Sequence, residues 1–177
     1  MIRIALAAVV ILSALPALAA DKSSKELAAT IGTKEAAKWT DTTTAAAATP
    51  EQQKQLKKGK AAAVEGEVID VSCFLQLGKR GEKHIACGTK CLQSGNPVGL
   101  VDDKGTVYTL FVEQHDSRRD GTADLRATFI PLLAKRVKVF GMVVDEKNTK
   151  TLYVDASALT AAAPVPAPAA PTPAAKP

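Results

Sequence analysis

The sequence predicts a mainly β fold, a small five-stranded barrel with one helix, on three observations. Short alternating apolar runs recur in the order strand, strand, strand, helix, strand, strand between residues 63 and 160. Turn chemistry separates the paired runs. Glycine concentrates in the same stretch, with nine of the eleven inside residues 64–160. The flanks differ. Ala supplies 32 of the 177 residues, 26 of them outside 64–160, and six of the ten prolines fall between Pro164 and Pro177. The 46% hydrophobic content therefore overstates the core. A middle of roughly 97 residues is too short for a dinucleotide-binding or (β/α)8 barrel fold.

The elements follow in chain order. Residues 1–19 read as a secretory signal: Arg3, an apolar run from Ile4 to Leu15, then Ala17-Leu18-Ala19 before a cleavage point. This predicts export to the periplasm or medium and no stable membrane insertion of the mature chain. Residues 20–62 are expected to be a weakly helical or disordered linker. Ser23-x-x-Glu26 suggests a helix ending at Gly32, and Thr49-Pro50-Glu51-Gln52 a second one stopping near Gly59. Leu27, Ile31, Trp39 and Leu56 are the large apolar residues there, too few to offset ordering entropy, with Trp39 as a possible dock onto the domain.

Val64 to Val71 is the first strand of the domain. Pro97 to Asp102 and Thr106 to Val112 form a hairpin over Asp102-Asp103-Lys104-Gly105. Leu125, Phe129 and Leu133 recur at helical spacing, with Pro131 expected to shorten or kink that helix. Val137 to Asp145 and Thr151 to Ala156 close the set, with a bulge or bend expected at Gly141. This order matches the OB-fold, a five-stranded Greek-key barrel with its helix between strands three and four. An SH3-like or open meander sheet is the alternative. Residues 161–177 are an Ala/Pro stretch, expected to be an extended, unpacked tail.

The chemistry concentrates between the first two strands of the domain. Cys73, His84, Cys87 and Cys91 stand at C-x10-H-x2-C-x3-C and hold every cysteine of the chain. If HIACGTKCL is helical, His84, Cys87 and Cys91 share a face, and Cys73 closes over it from the end of the first strand. Gly88 weakens that helix. Three thiolates and an imidazole make a complete tetrahedral set for zinc, and thiolates also suit a soft metal such as copper. Two other readings stay open. Two cysteines could form a disulfide in an oxidising compartment, leaving one thiol. Cys87 and Cys91 could be a redox pair with a lowered thiol pKa. His115 reads as a solvated loop residue that could also serve the site.

The frame GEVIDVSC, HIACGTKC and GNPVGL, carried by Gly66, Glu67, Val68, Asp70, Cys73, His84, Cys87, Cys91, Gly95, Pro97, Gly99 and Leu100, resembles small exported bacterial OB-fold-like proteins of mostly unassigned function. The resemblance covers about 64–160 and implies that the Cys/His segment acts as a unit; it implies no activity. No hydrolase carboxylate pair, nucleophile elbow or phosphate loop is present in the sequence. Glu65, Glu67, Asp102 and Asp103 fall on strand or turn positions that are usually solvated. Nucleic acid is an unsuitable partner, because 4% aromatic content supplies no stacking platform. The expected partner is another periplasmic protein, and the expected function is non-enzymatic metal binding; the alternatives are a thiol-redox or electron-transfer accessory using Cys87 and Cys91, and a plain binding module braced by a disulfide.

Overall fold

A computed structural model of the chain describes residues 26–114 and 123–160. The secretory signal, Ser23, His115 and the Ala/Pro tail lie outside the described residues. Six strands form one sheet: β1 (Ala29–Ile31), β2 (Lys60–Asp70), β3 (Val98–Val101), β4 (Val107–Glu113), β5 (Arg136–Glu146) and β6 (Thr149–Asp155). β2, β3 and β4 run antiparallel in series, and β6 joins β4 in parallel. β5 then pairs antiparallel with both β6 and β2. Five strands thus close into a mixed barrel of the OB-like kind, and closure removes the open edges that invite edge-to-edge association. Inward side chains alternate along the strands as the two-residue strand period requires: Val137 and Val139, Leu152 and Val154, Leu100 and Leu110 are all almost fully buried.

The expected helix after the third barrel strand is α5 (Leu125–Phe129), which passes into a 3-10 turn over Ile130–Leu132. Pro131 explains the early end, since it supplies no N–H and crowds the preceding turn. Asp124 starts the helix by accepting from the Arg126 N–H at 2.8 Å. Phe129, completely buried, and Leu133 join the barrel core.

Two expectations need correction. Among the described residues, no helix runs up to Gly32, because Ala29–Ile31 is a strand pairing parallel to β5, Ala29 opposite Val137 and Ile31 opposite Val139. The physical reason lies in β5, whose second edge is taken by β6 only from Met142 onward; β1 covers the earlier part and buries Ile31. Of the bulge or bend expected at Gly141, the bulge does not form: the β2–β5 register runs unbroken through it, with Ala62 opposite Gly141. Gly141 sits where β5 passes between its partners, and any Cβ there would overlap the Tyr153 carbonyl.

The second helix of the flank forms as its punctuation predicts. It follows α1 (Asp41–Ala46), and as α2 (Pro50–Leu56) it starts with a complete Thr49/Gln52 capping box and Pro50 in its first turn. Neither helix buries a residue of its own. Trp39 holds this arm to the barrel. Its Nε1 donates to the Leu56 carbonyl at 2.8 Å, and its ring meets Tyr153 edge-on at 5.3 Å between centroids. Glu113, buried, accepts from the Thr40 N–H at 3.1 Å, and Lys58 pairs with Glu146 at 2.6 Å.

Candidate metal centre

The Cys/His segment leaves the barrel at Asp70, the last residue of β2. The carboxylate of Asp70 accepts from the Cys73 N–H at 3.1 Å and so caps a short helix, α3 (Val71–Leu77). Sequence reading extended the strand through Val71 and missed this helix. Gly78 ends α3 at φ +64°, a backbone that side chains rarely adopt. The chain returns through Gly81, whose N–H donates to Glu67 at 2.7 Å, into a 3-10 turn over Glu82–His84. α4 (Ile85–Gln93) follows and carries Cys87 and Cys91. Leu92, fully buried, seats α4 on the core. The two ends of the segment are tied together: Val71 N–H donates to the Pro97 carbonyl at 3.1 Å, and the Asn96 amide reaches both Asp70 oxygens at 3.2 and 3.3 Å.

His84 therefore begins α4 rather than lying within it, and the expected i, i+3, i+7 face starts from the preceding turn. Its ring is 6% exposed, and its Nε2 is buried without a hydrogen-bond partner. A buried polar nitrogen left unpaired costs about 1–3 kcal/mol. The ring occupies the space above Gly88, where an added Cβ would come within 3.2 Å of His84 Cδ2 and Nε2 and 2.9 Å of Leu133 Cδ2. Gly88, a weakness in the helix by propensity, is what leaves room for the imidazole.

All three cysteines are free thiols. Cys73 and Cys91 bring their sulfurs to 3.9 Å. A disulfide would need about 2.05 Å. Two sulfurs each about 2.3 Å from one tetrahedral ion stand about 3.8 Å apart. The donors form two groups whose ligand atoms all lie within 4.8 Å of one another: Cys73, His84 and Cys87, and Asp70, Cys73 and Cys91. Each predicted ligand thus belongs to one cluster around Cys73. Asp70 joins it, although sequence reading had not counted it as a donor. The signal was the D-x-x-C spacing, a helix cap aimed at the first cysteine.

The electrostatics without a cation favour the protonated thiols of Cys73 and Cys91. The Asp70 carboxylate hydrogen-bonded to the Cys73 thiol, reinforced by burial, pushes that thiol up to about 12. Burial also pushes Cys91 above its ordinary value. A cation among the sulfurs reverses this preference, because ligation takes the deprotonated form.

No family model, curated protein or solved structure matches the chain. The cluster itself is a set of Cys and His side chains with the chemistry to hold a metal ion. The other carboxylates noted in the sequence have structural partners. Asp102 accepts from the Lys104 and Thr106 N–H groups in the hairpin turn, and Asp103 and Glu65 both pair with Arg136. Lys138, hydrogen-bonded to Glu65, and then Arg136 hold the Glu65 carboxyl below its ordinary range. Among the described residues no helix is long and apolar enough to cross a membrane.

Proposed function

We propose that this chain is an exported, non-enzymatic metal-binding protein that holds zinc, or a soft metal such as copper, through Cys73, His84, Cys87 and Cys91. The observation that carries this reading is a buried imidazole nitrogen without a hydrogen-bond partner, on a ring clustered with Cys73 and Cys87, beside a sulfur pair at 3.9 Å. Coordination answers both features at once: it supplies the missing partner and accounts for a sulfur spacing too long for a disulfide. The rise of the Cys91 thiol weighs against a redox pair, which works through a lowered pKa. The role is to brace the segment between β2 and β3 or to hand metal to a periplasmic partner. Exposed Leu75 and Leu77, on the same short helix as Cys73, support a partner of that kind.

The test uses mature protein from its native compartment, with metals and free thiols measured on one sample before and after denaturation. Bound metal, with thiols masked until denaturation, is the expected result. One free thiol and no metal would establish a disulfide instead. Protein that carries no metal and takes up none after mild reduction would end the proposal.

A further inference from the structure

The donors of the cluster are arranged as two triads with one shared member. Cys73 lies within 4.8 Å of His84 and Cys87 in one, and of Asp70 and Cys91 in the other. A single tetrahedral ion would gather its donors at about 3.8 Å from one another. Five donors, four of them around the shared sulfur, are more than such an ion uses. A thiolate sulfur has lone pairs enough to serve two ions.

Charge leads to the same count. With metal bound, the three thiolates and the Asp70 carboxylate are four anionic donors, and His84 is neutral. One divalent ion leaves two formal negative charges, and two divalent ions leave none. Asp70 is fully buried; its hydrogen-bond donors are the N–H and thiol of Cys73 and the Asn96 amide, all uncharged, and among the described residues no Lys or Arg forms an ion pair with it. A buried anion needs a compensating charge. A carboxylate oxygen among the thiolates also favours zinc over Cu(I), which prefers soft ligands alone.

Resting on the metal-binding reading above, we propose that the centre takes two zinc-class divalent ions bridged by the Cys73 sulfur. His84 and Cys87 complete the protein ligands of one ion, and Asp70 and Cys91 those of the other. Each ion then has three protein donors, which leaves a further position for solvent or an added ligand. Cys87 is exposed, so the first ion faces solvent; Asp70 has no exposure, so the second lies towards the barrel.

The test is stoichiometry. Reduced, metal-free mature chain without an affinity tag is titrated with Zn2+ and read by native mass spectrometry. A parallel Co2+ titration follows the thiolate charge-transfer absorption. Two ions per chain are expected, with the absorption rising through both equivalents. Asp70→Asn, which keeps the helix cap, should bind one ion, and so should Cys91→Ser. Cys73→Ser should weaken both ions by about 100-fold or more. One ion in the wild-type chain overturns the two-ion centre and leaves the metal-binding reading standing; none overturns both. A second cobalt that adds no thiolate absorption, or two ions retained in both Asp70→Asn and Cys91→Ser, also refutes the bridged arrangement.

Discussion

Replacing Gly88 by Ala sets two effects of known size against each other. Gly88 is buried inside α4, and in an ordinary helix interior Ala is more favourable than Gly by about 0.8–1 kcal/mol. Here the new methyl would lie 2.9 Å from Leu133 Cδ2 and 3.2 Å from two atoms of the His84 ring. Leu133 is 4% exposed and belongs to the barrel core, so it has little freedom to withdraw. Overpacking of this kind costs about 1–3 kcal/mol. The net expectation is a metal-free protein that is unchanged or less stable by up to about 2 kcal/mol in urea denaturation. The neighbour freer to yield is His84, and a displaced imidazole costs metal affinity by roughly the 10–100-fold typical of residues that orient ligands. Competition with a chromophoric zinc chelator measures that loss. A Gly88→Ala protein that gains the full helix-propensity increment and binds zinc like the wild type would show that the imidazole does not depend on this space.

Two further expectations test the arm and the thiols. Trp39→Ala removes the hydrogen bond to Leu56 and the edge contact with Tyr153; because Trp39 is half-buried, the loss should be about 2–3 kcal/mol, below the 3–5 kcal/mol of a fully buried aromatic. Limited proteolysis should then cut residues 40–59 faster while metal content stays the same, and unchanged protection would refute the anchoring role. The Cys73 thiol is raised in the folded protein from its ordinary 9.0 to about 12. Its contribution to metal-free stability is therefore fully present below about pH 9 and is lost as pH rises towards 12. The melting temperature of the metal-free wild type should fall more steeply over that interval than that of Cys73→Ser, and parallel curves would refute the shift.

The barrel was legible because its signals are local. Asp102-Asp103-Lys104-Gly105 specifies a hairpin by turn chemistry, and runs such as TVYTLFV alternate at the strand period, so β3 to β6 fall within two residues of the expected bounds. What was missed depends on partners distant in sequence. Nothing within Ala29-Thr30-Ile31 announces a strand; it forms because part of the β5 edge is open, far along the chain. α3 was hidden because Val71 continues the apolar run of β2, and only the Asp70 cap and Gly78 stop mark the change. The ligand types and their proximity were readable from C-x10-H-x2-C-x3-C. The place of Asp70 among them shows in the sequence only as the D-x-x-C spacing of a helix cap, which marks a cap and not a ligand; the Asn96 amide, 26 residues on, holds the same carboxylate.

The cluster is also mechanically part of the barrel. Leu133 packs into the core, touches the space shared by Gly88 and His84, and stands in a parallel bridge with Val68, where Ala134 N–H donates to the Val68 carbonyl at 3.0 Å. The same β2 strand continues two residues further to Asp70, the helix cap and a member of the cluster. A shift of the ligand segment therefore strains the core floor and the end of β2 together. An ion that binds only this native arrangement stabilises the whole domain by linkage, about 4.1 kcal/mol at 1,000 times its dissociation constant. Against a total of about 5–15 kcal/mol for a typical domain, that is a large share. In a barrel this small, an ion held at the root of the β2–β3 connection would act on the fold as well as on its ligands.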